Sequence, residues 1–158
     1  MTIHKSDAVS SGIMPDFAIP GVVLCRSAEF VTADDTIVSA DTLQMVPIPK
    51  GAKVLRVEFY HTALPAGTTG CDVGYGGDPD AFLAGVDATG SNIRIWPVNL
   101  AAGPTKTTFR NLAGLLHTFT ADDTIDIAFT KLATKIPTSQ HLQMTVWYKM
   151  TGVLADEE

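Results

Sequence analysis

Short runs of alternating apolar and polar residues recur along this chain, separated by glycine, proline and aspartate. The clearest run lies between residues 53 and 64. Leu55, Val57 and Phe59 point one way, and Arg56, Glu58 and Tyr60 the other. That is the period-two pattern of a strand with one buried face. Residues 124–130 repeat it, with Ile125, Ile127 and Phe129 opposed to Asp126 and Ala128. Residues 141–150 do so again. Leu142, Met144, Val146 and Tyr148 form one face, and Gln143, Thr145, Trp147 and Lys149 the other.

Weaker strands fill the intervals. Residues 22–25, 28–31, 71–75 and 93–96 are strand-like, and 36–39 is expected to open a strand after the Asp34-Asp35 turn. Residues 43–48 alternate, and Pro47, which has no amide hydrogen to donate, places them at a sheet edge or a strand end. Residues 81–85 read as one helical turn or an irregular crossing. Residues 109–116 read as a loop leading into a strand over 116–120. The hexapeptide Thr-Ala-Asp-Asp-Thr-Ile occurs at 32–37 and again at 120–125, which suggests two equivalent strand starts. Roughly seven to nine short strands with little helix predict an all-β fold, an antiparallel β-sandwich of jelly-roll type. The sandwich is expected over 21–152. Residues 1–20 read as an extended N-terminal arm, disordered or lying on a neighbour, and 153–158 as an acidic C-terminal tail.

Composition narrows the function. The chain has 158 residues, 18% of them charged, and a net charge of −6. An acidic chain without a basic cluster is a poor nucleic-acid binder. No apolar run approaches the ~20 residues that span a bilayer. The sparse charge suggests a surface partly covered by partners. The first residues lack the apolar core of a secretion signal, so synthesis in a cytoplasm is expected. Cys25 and Cys71 then read as small buried hydrophobes more readily than as a disulfide.

Candidate chemistry is thin. Asp72, Asp78, Asp80 and Asp87 lie in a glycine-rich stretch, where spaced carboxylates can hold calcium. Their spacing does not match an EF-hand loop, and turn formation is the favoured reading. Asp34-Asp35 and Asp122-Asp123 read likewise. His4, His61, His117 and His141 show no metal-ligand spacing. No G-x-S-x-G occurs, and no carboxylate pair stands out for glycoside hydrolysis. No cofactor is expected. The aromatics are more informative. Tyr60, Trp96 and Trp147 are expected on outward faces, to be covered by core, by a subunit interface or by a glycan. In the arm, Ile13, Met14, Phe17 and Ile19 offer apolar contacts to a partner.

The run from Ala63 through Cys71-Asp72-Val73-Gly74-Tyr75-Gly76-Gly77-Asp78-Pro79-Asp80 to Gly85 resembles small structural proteins of tailed bacteriophages. So does Phe119-Thr120-Ala121-Asp122-Asp123-Thr124-Ile125-Asp126-Ile127. With the Pro49-Lys50-Gly51 turn and the strand after it, the likeness covers residues 45–130. It implies a jelly-roll capsid decoration (cement) protein, or a head-fibre, neck or tail-associated component. The implied protein is non-enzymatic, multi-copy and a homotrimer. It would be made in the host bacterial cytoplasm and sit on the capsid exterior against the major capsid protein. A module binding glycan through Trp96 or Trp147 is the alternative. An enzyme acting on cell-wall sugars through Asp72, Asp78 or Asp80 is the weakest reading.

Overall fold

A computed structural model describes residues 1–14, 21–32, 37–64, 69–97, 114, 117–132, 136 and 138–151. Among them lie nine strands and one short helix: β1 (Ile3–Lys5), α1 (Asp7–Ser10), β2 (Val23–Val31), β3 (Thr42–Ile48), β4 (Ala52–His61), β5 (Thr69–Tyr75), β6 (Asp78–Asp87), β7 (Asn92–Trp96), β8 (Asp123–Phe129) and β9 (His141–Met150).

The strands form two sheets. The first has the order β1-β3-β8-β5-β6 and the second β2-β9-β4-β7. With β1 set aside, the remaining eight strands wind between the sheets as a jelly roll does: β2, β4, β7 and β9 in one, β3, β5, β6 and β8 in the other. All their pairings are antiparallel. The inner faces meet in one core. Leu43, Val73, Phe82, Ile125, Ile127 and Phe129 come from the first sheet, and Val57, Phe59, Leu142, Met144, Val146 and Tyr148 from the second.

The strongly alternating strands form as expected, with one adjustment. β4 carries a bulge, since Val54 pairs with Tyr148 but Arg56 with Trp147. The extra residue turns Val54 inward and leaves Leu55 half-buried, while Val57 and Phe59 keep their buried face. Pro47 sits near the end of β3, beyond the stretch Thr42–Gln44 that pairs with β1, so its missing amide hydrogen breaks no β1 bond.

Four expectations change. Residues 37–39 do not start a strand. Ile37 is buried, the chain turns at Ser39 and Ala40, and Asp41 accepts the Val38 amide. The two hexapeptide copies are therefore not equivalent, since only the second leads into a strand. Residues 33–36 of the first copy lie outside the described residues. Residues 81–85 belong to strand β6, whose register with β5 shifts repeatedly; that irregularity buries Ala81, Phe82 and Leu83 in succession and erases the alternation. Residues 117–119 are not strand, and β8 starts at Asp123. Finally, the first ten residues are not a free arm. β1 adds in parallel to β3, and Ser6 locks the following turn. Ser6 is fully buried; its amide donates to Gln44 O (2.9 Å), its hydroxyl donates to Met45 O (2.5 Å), and its Oγ accepts the Val9 amide as the cap of α1.

Candidate functional site

The outer face of the second sheet gathers two of the expected contact residues. Register aligns Tyr60 with Gln143 on β9 and Ile93 on β7, and Trp147 with Arg56 on β4 and Cys25 on β2. Tyr60 and Trp147 therefore share one face, both half-buried. Ile93, 55% exposed, joins them and was not singled out by the sequence. Glu58, Tyr60, Ile93, Gln143 and Thr145 line a shallow depression of about 250 Å³. The Arg56 guanidinium lies over the Trp147 ring, 5.2 Å from its centroid, and also pairs with Glu58. One ring face is thus already taken by a cation. This surface suits contact with protein better than stacking of a sugar.

Trp96 goes the other way. It is 2% exposed and packs edge-on against Phe82, with ring centroids 4.9 Å apart. β7 pairs Trp96 with Val57 and Arg94 with Phe59, which puts Trp96 and Arg94 on the inward side and Ile93 outside. The two isoleucines made the opposite parity look natural. In the N-terminal segment Ile13 is 65% exposed and Met14 half-buried, with the Ile13 carbonyl accepting from Arg26 Nη2 at 2.7 Å. Phe17 and Ile19 lie outside the described residues.

The carboxylates serve mostly in local bonding. Asp72 accepts the Gly85 amide (2.6 Å), Asp87 accepts the Thr89 amide and hydroxyl, and Asp122 accepts the Lys50 amide. Burial, and after it the neighbouring Asp80, raises the Asp78 carboxyl. Among the described residues no group of three or more His, Cys, Asp or Glu side chains is placed to hold a metal. His61 is buried beside Phe59 at 5.2 Å, and burial lowers its pKa. His117 stacks on Tyr75 (4.2 Å) and shares a hydrogen bond with its hydroxyl (3.1 Å). Cys25 is exposed on the outer face, whereas Cys71 is a buried free thiol that burial pushes up to about 12. The expectation of burial thus fails for Cys25.

The outer face of the first sheet holds a second, larger groove, of about 420 Å³. Gln44 and Asp126 line its floor, and the same cross-strand row continues to Gly74 on β5. The chain of the β5–β6 hairpin folds back over Gly74. A Cβ there would meet Asp78 O at 2.1 Å, so only glycine fits. Pro79 rises on one side, and Met1 and Ile3 on the other. Asp126 is 8% exposed, and its Oδ1 has no hydrogen-bond partner. Burial pushes its carboxyl up to about 7, the Thr124 side chain opposing the rise and Asp123 adding to it.

No protein-family model matches the chain, and no curated protein does. Solved structures do match. A chain from the capsid of Ralstonia phage GP4 is similar with a TM-score of 0.70 at 13% identity, over 94% of this chain and 97% of that one. A chain from the capsid asymmetric unit of cyanophage Pam1 is similar with a TM-score of 0.55 at 22% identity, over 87% of this chain and 91% of that one. At these identities the likeness is one of fold, and in both cases it runs through nearly the whole of each chain.

Proposed function

We propose that this chain is a non-enzymatic structural protein of a tailed-phage virion, a decoration protein that bridges major capsid protein subunits on the outer shell. The observation that carries this reading is the fold likeness to a chain of a phage capsid, of which 97% is covered. Two surface properties support it. The chain has only 18% charged residues, and the outer face of its second sheet carries Tyr60, Ile93 and Trp147 beside Arg56, Glu58, Gln143 and Thr145. Such a face suits repeated protein contact. Many copies, each with a modest interface, would stabilise a shell by multivalency. The exposed Ile13 and its neighbours extend the contact surface in this proposal, and the protein acts as a homo-oligomer, a trimer as the resemblance to decoration proteins implies.

Binding of the purified protein to expanded capsids that lack it tests the reading. Saturable occupancy, with regularly placed density on the outer surface by cryo-electron microscopy, is expected. Tyr60→Ala combined with Ile93→Ser should lower occupancy. Failure of the unaltered protein to bind overturns the reading. Light scattering of the free protein tests the trimer.

A further inference from the structure

The groove over Gln44 and Asp126 is not used by the contacts described for the second sheet, and its chemistry is unusual. A carboxyl buried to 8% exposure normally collects hydrogen-bond donors, because an ionised oxygen out of water is costly. Asp41, on the same sheet, does so. Asp126 lines the groove, its buried Oδ1 is unpartnered, and none of the ion pairs among the described residues involves it. The mouth is apolar: Met1 is 89% and Ile3 56% exposed, and Pro79 stands opposite. An apolar collar around a buried acid that the chain's own donors leave unsatisfied, unlike Asp41 in the same groove, complements a side chain with an aliphatic stem and a cationic head. The net charge of −6 favours a basic partner as well. The volume, about 420 Å³, falls within the ~300–1,000 Å³ of sites that enclose a ligand.

We propose that this groove is a docking site for a lysine or arginine side chain carried on an extended segment of a partner protein, with the cationic head paired to Asp126 and the stem lying between Ile3 and Pro79. The inference stands on the groove alone and does not require the virion reading. Pairing brings a donor to a carboxyl that is short of them and keeps Asp126 ionised in the complex. A glycine at 74 is part of the design, since a side chain there would collide with the hairpin wall that shapes the groove.

The test uses the full chain and two acetylated, amidated pentapeptides, Val-Thr-Lys-Thr-Val and the same sequence with norleucine for lysine. Titration at pH 8 is followed by amide chemical shifts. The lysine peptide is expected to bind at least tenfold more tightly than the norleucine peptide, shifting the amides of Gln44, Asp126 and Ala128. Asp126→Asn should abolish that preference while the variant keeps a folded spectrum. Ile3→Ser, which keeps the carboxyl, should weaken the lysine peptide without removing the preference. Equal binding of both peptides, no binding at millimolar concentration, or a preference that survives Asp126→Asn overturns the proposal. So does binding of free butylamine as tight as that of the lysine peptide, since the site would then take a small amine and not a protein segment.

Discussion

Two buried carboxyls line one groove on the first sheet, yet their surroundings differ completely. Asp41, at the turn before β3, accepts the Thr2 amide at 2.7 Å and the Val38 amide at 3.1 Å, with His4 Nε2 at 3.4 Å. Burial works against its ionised form, but these donors outweigh burial and hold its pKa below the ordinary value. Asp126, in the middle of β8, has burial with little to offset it, and its pKa rises to about 7. The contrast teaches how to separate a structural carboxylate from one awaiting a partner. Donors from the chain itself make Asp41 a clamp that fastens β1 to the sandwich. The lack of them leaves Asp126 with unused bonding capacity.

Four measurements break or sharpen this contrast. The largest effect is expected for Asp126→Asn. The folded pKa lies above the ordinary 3.8, so the stability linked to this group is complete below about pH 4 and declines as pH rises toward 7. At about 1.4 kcal/mol per pH unit, a raised carboxyl of this kind costs up to ~4 kcal/mol at pH 8, less where water enters the groove. Denaturant unfolding should therefore find the variant more stable than the parent by about 2–4 kcal/mol at pH 8, and equal to it near pH 3. A matching deficit at pH 8 would mean that the carboxylate is already satisfied. Next comes Asp41→Ala, expected to cost about 1–3 kcal/mol. Its folded pKa is depressed, so its contribution is present above pH 4 and lost as pH falls through the lowered value. Protection from hydrogen exchange at Ile3–Lys5, taken relative to the intrinsic rate at each pH, should fall in the variant, and in the parent on acidification. His4→Gln removes the weakest of the three donors, and a loss of about 0.5–1 kcal/mol by the same unfolding assay is expected. Smallest is Trp147→Ala on the other sheet, which gives up its contact with Arg56 and should cost about 1 kcal/mol or less. A loss as large as that for Asp41→Ala would show that this outer face is structural.

The strands with one buried face were legible from residue spacing alone. β8 and β9 follow the alternation of Ile125-Ile127-Phe129 and Leu142-Met144-Val146-Tyr148 along their buried face. Elements whose burial is set by distant chain were not. β6 reads as a helical turn because Ala81, Phe82 and Leu83 are buried together, a product of its slipping register with β5. Trp96 has the parity of its partner Val57, and that pairing is invisible within β7 itself. The sequence did put Asp126 on the outward face of β8. What it could not convey is that the β5–β6 hairpin and the N-terminal strand cover that face, since both arrive from far along the chain. The glycine at 74 and the Gly76-Gly77-Asp78-Pro79 turn were the local signs of that fold-back.

The position of Met1 has a practical consequence. It is 89% exposed and stands at the mouth of the groove. Any peptide fused ahead of it leaves the fold beside Asp126, tethered at an effective concentration that short flexible linkers bring to the millimolar range. A basic tag placed there would act as a built-in competitor for the site, and an acidic or neutral one would leave it open. The charge of a fused leader would thus set how the groove behaves in any assay of the tagged protein.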